Sequence, residues 1–147
     1  MQRHSSSPEE LRIIAAEYIR ALRPAAEATL VTLSGELGAG KTTFCQAAAL
    51  ALGVEETVTS PTYVIEKIYA LEGKPWQRLV HIDAYRLTGA KDLGVLGWAE
   101  LMVNPENLIL LEWPERVADA IPASAHALRF DIDGDTRIIR DIHGQEN

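Results

Sequence analysis

At 147 residues the chain can bury one real core but leaves no room for a separate substrate domain, so every motif is expected to share a single domain over residues 1–147. Apolar residues at 47% and charged residues at 24% exclude a disordered polymer, and a formal net charge of −7 excludes the broad basic surface that neutralises many phosphates of a nucleic acid. No apolar run is long enough to span a membrane, "MQRHSSSPEE" has no secretion-type apolar stretch, and the single Cys45 has no thiol to pair with. A cytoplasmic protein with no membrane partner is expected, with Cys45 as a small apolar filler on a helix.

Ser7, Pro8 and Glu10 make a helix start: Ser7 as cap, Pro8 at the first helical position, and Glu10 three residues on, reaching back. Leu11, Ile14, Ala15, Tyr18, Ile19 and Leu22 then recur at helical spacing, and Pro24 ends the run. "ATLVTLS" (28–34) is β-branched and aliphatic, is too short for an independent helix, and stops at Gly35, which predicts a central strand. Lys41 to Leu52 reads as a helix closed by Gly53. "TSPTY" is a loop around Pro61, after which "YVIEKIYA" and "RLVHIDAY" form an antiparallel pair across a connection containing Gly73 and Pro75. Asp92 to Met102 is a short helix candidate weakened by Gly94 and Gly97. "NLILLEW" reads as a buried parallel strand, and "HALRFDI" with "RIIRDI" as a hairpin around Asp133 and Gly134.

Between the central strand and its helix lies "GELGAGKTT". Gly35, Gly38, Gly40, Lys41 and Thr42 satisfy G-x-x-x-x-G-K-[ST] in the required strand–loop–helix context. Glycines let successive backbone N–H groups converge on phosphate oxygens, and the helix N-terminus adds partial positive charge. Lys41 would reach the β and γ phosphates, the Thr42 hydroxyl would ligate Mg²⁺, and Thr43 would hold the α phosphate or the helix start.

A magnesium nucleotide also needs carboxylates opposite the loop, and ligands bind at the carboxyl ends of parallel strands. Asp83 closes "RLVHID" and Glu112 closes "NLILLE"; the residues alone leave open which of them touches the metal. His81 shares a strand face with Asp83 and could poise a water, contact a partner or serve as a structural hydrogen-bonder. Thr62, in Ser60–Tyr63, offers a hydroxyl to metal or water where nucleotide hydrolases keep a γ-phosphate-sensing loop, although Ser-Pro-Thr is also a good turn. Trp113 either covers the site or packs under it, and Trp76 and Trp98 carry no functional signal. With no N-K-x-D run for guanine, adenine is the expected base. With no lid or substrate domain, water is the expected phosphoryl acceptor. A phosphotransferase acting on a small molecule and a nucleotide-dependent binding module are the rival readings.

"GELGAGKTTF", "TSPTY", "HIDAYRL" and "LLEWPER", in this order and at these separations, resemble the bacterial TsaE (YjeE) family of small ATPases across Gly35 to Arg116. The resemblance implies an α/β fold, a P-loop NTPase-like three-layer sandwich with a mixed central sheet. It implies a cytoplasmic ATPase, slow alone, that works with the TsaB and TsaD proteins to make threonylcarbamoyladenosine beside the anticodon of tRNA, touching tRNA only indirectly. Residue by residue it implies that Gly35, Glu36, Leu37, Gly38, Ala39, Gly40, Lys41, Thr42 and Thr43 bind ATP. It implies that Thr42 and Glu112 are Mg²⁺ ligands, that Asp83 is an essential strand-end acid, and that Ser60–Tyr63 form a switch-like segment. Arg137 in "GDTRIIRD" matches a nucleotide-contacting arginine, and Glu10 is placed near the adenine.

Overall fold

The computed structural model describes residues 2–55 and 66–142. Its seven-stranded mixed sheet has the spatial order β1-β7-β6-β2-β5-β4-β3, where β1 is Gln2–Ser5, β2 Thr29–Gly35, β3 Glu66–Ala70, β4 Arg78–Asp83, β5 Asn107–Glu112, β6 His126–Asp133 and β7 Thr136–Asp141. Strands β6, β2, β5 and β4 run parallel, while β7, β1 and β3 are antiparallel to their neighbours. The predicted central strand is central, and both predicted antiparallel pairs form over the described residues, Tyr63–Ile65 of the first lying outside them.

The period-two alternation of the parallel strands feeds two cores. Val31 and Leu33 of β2, Leu108 and Leu110 of β5 and Leu79 of β4 pack on one face under helices α1 (Pro8–Ala21) and α2 (Lys41–Ala51). Leu30, Ile109, Leu111, Val80 and Ile82 pack on the other face with Leu93, Val117 and helix α3 (Trp98–Val103). Every residue of β5 is buried, as expected of a parallel strand covered on both sides. Phe44, fully buried, anchors α2 by edge contacts to Tyr18 of α1 at 5.9 Å and Phe130 of β6 at 5.4 Å between ring centroids.

The start of α1 follows its sequence signature with one shift. Ser7 Oγ accepts the Glu10 N–H at 3.1 Å, but the Glu10 carboxylate accepts from Ser6 N–H at 2.9 Å, one residue before the cap. Helix α1 ends at Ala21, and Arg23 Nη1 donates to the Arg20 and Leu22 carbonyls. The single helix expected over Asp92–Met102 is divided: a 3-10 segment at Ala90–Leu96 meets α3 across Gly97, whose φ of +73° breaks the helical path. Strand β1 and a second 3-10 segment at Pro114–Ala120 carry no signature that predicts them. Trp76 is core, its Nε1–H donating to Thr29 Oγ1 at 3.1 Å.

Gly35 sits where β2 leaves the sheet, with φ of +136° and the Phe130 carbonyl oxygen 2.2 Å from where a Cβ would stand. Gly38 has φ of +80° but open space around it. Gly35→Ala is therefore expected to lower the unfolding free energy by about 2 kcal/mol or more, and Gly38→Ala by about 1 kcal/mol, in urea titrations. Equal losses would contradict the close approach of β2 and β6.

Candidate functional site

Parallel pairing of β4, β5 and β2 brings their carboxyl ends to one edge, and α2 begins at that edge. The β4–β5 register pairs Asp83 with Glu112, and β2–β5 pairs Leu33 with Glu112. By alternation from Leu108 and Leu110, Glu112 points to the α2 face, and by alternation from Leu79 so do His81 and Asp83. One cleft is lined by the loop glycines together with Lys41, Thr42, Asp83, Tyr85, Glu112 and Trp113. The structure thus brings together the loop lysine, its neighbouring hydroxyl and both predicted acids.

The tightest polar contacts lie at the floor. Thr42 Oγ1 donates to Glu112 Oε1 at 3.2 Å, with Oε2 at 3.5 Å, and Glu112 Oε2 lies 2.6 Å from His81 Nε2. Glu112 and His81 are both nearly inaccessible. Lys41 Nζ donates to the Gly35 carbonyl and, at 2.9 Å, to the Glu36 carbonyl, and lies 4.2 Å from the centroid of the Trp113 ring. Burial pulls the Lys41 ammonium below its ordinary pKa, opposed first by the Glu112 carboxylate and then by Glu115, Asp83 and Glu36. Asp83 Oδ1 accepts the Tyr85 N–H at 3.0 Å. Its carboxyl is nevertheless pushed above the usual value by desolvation, an effect that the Tyr85 bond opposes and Glu112's charge reinforces.

An aromatic wall closes one side. Trp113 holds φ of +62°, the one non-glycine residue at positive φ among those described, with its N–H on the Leu33 carbonyl at 3.1 Å. Its ring meets Tyr85 at 4.9 Å, and the Arg116 guanidinium lies 5.1 Å from the Tyr85 ring. Trp113 does both things the sequence left open: it lines the cleft and packs against the core beneath it. Tyr85 and Arg116 were not singled out from sequence, and their one available signal was proximity to the strand-end acids.

Beyond Gly38, Gly40 and Thr43 a second cleft continues toward Ser7, Leu11 and Arg137. Arg137 Nε donates to the Gly38 carbonyl at 3.1 Å, tying β7 to the loop. Glu10 is not on the lining; it braces Ser6, which is. Thr62, with Ser60, Pro61 and Tyr63, lies outside the described residues.

The class is thus an α/β protein with a mixed seven-stranded sheet and a glycine-rich phosphate-loop sequence at the edge where two strand-end acids meet a helix N-terminus. The family model for "Threonylcarbamoyl adenosine biosynthesis protein TsaE" matches residues 5–142, and the chain belongs to this TsaE family. It is similar to the tRNA threonylcarbamoyladenosine biosynthesis protein TsaE of Streptomyces coelicolor, 42% identical over 105 residues covering 69% of this chain and 68% of that protein. The Treponema pallidum protein of the same name is 40% identical over 96 residues, covering 65% and 67%. Among solved structures, Bacillus subtilis YdiB superposes with a TM-score of 0.75 at 28% identity, covering 95% of this chain and 82% of that one. Among the described residues, no helix is long and apolar enough to cross a membrane.

An acid whose folded pKa is raised withdraws stability as pH climbs through that value, because the ionised form is the one burial disfavours. Asp83→Asn is therefore expected to raise the Tm of the nucleotide-free protein at neutral pH. The gain should vanish as pH falls below about 3.9, the unperturbed aspartate value. A variant that melts lower than wild type at pH 7 would contradict this reading of Asp83.

Proposed function

We propose that the chain is a cytoplasmic P-loop ATPase, a three-layer sandwich that binds ATP with Mg²⁺ and hydrolyses it slowly when alone. In this reading it assists the TsaB–TsaD complex in N6-threonylcarbamoylation of adenosine next to the anticodon of tRNA. The observation that carries the proposal is the Thr42 Oγ1–Glu112 contact beside Lys41, in a cleft that also holds Asp83. Membership of the TsaE family supplies the biological setting, and the acidic balance of the chain fits tRNA contact made through partners rather than by a basic face of its own.

The donor set fits the group. A hydroxyl and two carboxylates are all hard oxygen ligands, the type Mg²⁺ takes, and Gly38 leaves open space over the loop where a side chain would stand. Amides of residues 35–43 and the α2 N-terminus would receive the phosphates, with Lys41 exchanging its carbonyl partners for phosphate oxygens. Thr42 and Glu112 would hold the metal, with Asp83 beside them to orient water, and the Thr62 hydroxyl is assigned to metal or water on the γ-phosphate side. When bound, Mg²⁺ supplies neutralisation of the charge that develops on the phosphates. Arg137 and the cleft it lines would take the base and ribose, Glu10 acting through the Ser6–Ser7 turn that it braces.

The test is ATP turnover by the purified chain, with and without TsaB, TsaD and tRNA. Stimulation by the partners is expected, with release of inorganic phosphate. Lys41→Ala and Glu112→Ala should each lower the stimulated rate by on the order of 100-fold or more with the fold intact by circular dichroism. ADP formed without free phosphate would move the chain to the phosphotransferases. Undiminished turnover in Glu112→Ala would remove that residue from the metal site.

A further inference from the structure

The described part of the site contains a fully buried polar side chain for which the proposed chemistry has no use. His81, on β4, is 1% exposed, and its Nε2 lies 2.6 Å from Glu112 Oε2. Its Nδ1 is buried with no hydrogen-bond partner among the described residues. Cys45 of α2 stands behind the pair: its sulfur, a His81 nitrogen and a Glu112 oxygen lie within 4.8 Å of one another, all buried. Burial pushes the Cys45 thiol well above its ordinary pKa, so in the metal-free protein Cys45 packs behind the pair as a neutral thiol.

Orphaned buried N–H groups are rarer than under-satisfied acceptors, so a buried Nδ1 without a partner carries the lone pair and Nε2 carries the proton. Nε2–H then donates to Glu112 Oε2, which leaves Oε1 as the oxygen nearer Thr42. Without that donor the Glu112 carboxylate, held from the front by a single hydroxyl, is free to rotate about its terminal torsion. Residues behind a metal-binding carboxylate orient it in this way, and their loss weakens metal affinity without changing the ligand count.

We propose that His81 is a positioning residue, its Nε2–H bond to Glu112 Oε2 fixing which carboxylate oxygen Glu112 presents toward Thr42 and the metal. The inference rests on the proposal that Thr42 and Glu112 hold Mg²⁺. Two measurements on the full chain test it. In ¹⁵N NMR of the wild type, His81 should show the Nε2–H tautomer with Nδ1 bare; the opposite tautomer overturns the proposal whatever the variants do. In calorimetric titrations with a non-hydrolysable ATP analogue, His81→Leu should raise the half-saturating Mg²⁺ concentration about 10–100-fold, while the analogue's affinity in EDTA stays unchanged. His81→Gln, which keeps a donor, should remain within about threefold of wild type. A lowered Tm with unmoved Mg²⁺ half-saturation in both variants, or a glutamine variant as impaired as the leucine one, overturns positioning. Glu112→Gln separates the two levels. If it weakens Mg²⁺ and His81→Leu does not, positioning alone fails, whereas if neither does, the metal-site reading has failed with it.

Discussion

The hydrogen bond from Thr42 Oγ1 to Glu112 fixes the helix that follows the glycine loop against the strand that carries the acid. It joins residues 70 apart in sequence, and it forms because α2 begins where β5 ends. The parallel pairing of β4, β5 and β2 sets that coincidence, and two buried cores hold the sheet rigid on both faces. Shifting β5 by one residue would turn Glu112 to the opposite face and separate it from Thr42, so the apolar alternation of the strand also determines where the carboxylate points.

Around this contact the molecule keeps groups in states that folding alone would not choose. Asp83 is an acid whose burial opposes its charge, Lys41 an ammonium whose burial does the same, and Trp113 a bulky residue at positive φ. Each is a local cost, and all three line one cleft. Strain and desolvation gathered at one edge, in a chain whose strands and helices otherwise agree with their sequence patterns, are what the proposed site would require. The Lys41 bonds to loop carbonyls and its contact with the Trp113 ring keep this buried cation partnered.

Much of this was legible in the sequence because it is written in local, periodic signals. The phosphate loop, the capped start of α1, the apolar run of β5 and both strand-end acids follow from residue types at fixed spacing. The register that sets Asp83 against Glu112 did not, since parallel pairing is a non-local choice that no segment records by itself. Strand β1 was missed because four polar-leaning residues at a sheet edge have no alternation to read. The division at Gly97 was only hinted at by its glycine. His81 was weighed as a lone histidine, and its bond to Glu112 needs the β4–β5 register to be seen. Arg137 was anticipated from family resemblance, and what ties it to the loop is the Gly38 carbonyl, reached across the β6–β7 hairpin.

Membership of the TsaE family places the chain in threonylcarbamoyladenosine biosynthesis, and the central claim is that the hydroxyl and carboxylates at this edge of the sheet hold a metal nucleotide. The most direct test is a crystal structure of the chain with a non-hydrolysable ATP analogue and Mn²⁺, the ion located by its anomalous signal. The account predicts the ion about 2.0–2.3 Å from Thr42 Oγ1, with Glu112 and Asp83 in direct or single-water contact. An ion bound to the triphosphate with either carboxylate turned out of reach of both it and its waters would contradict the account.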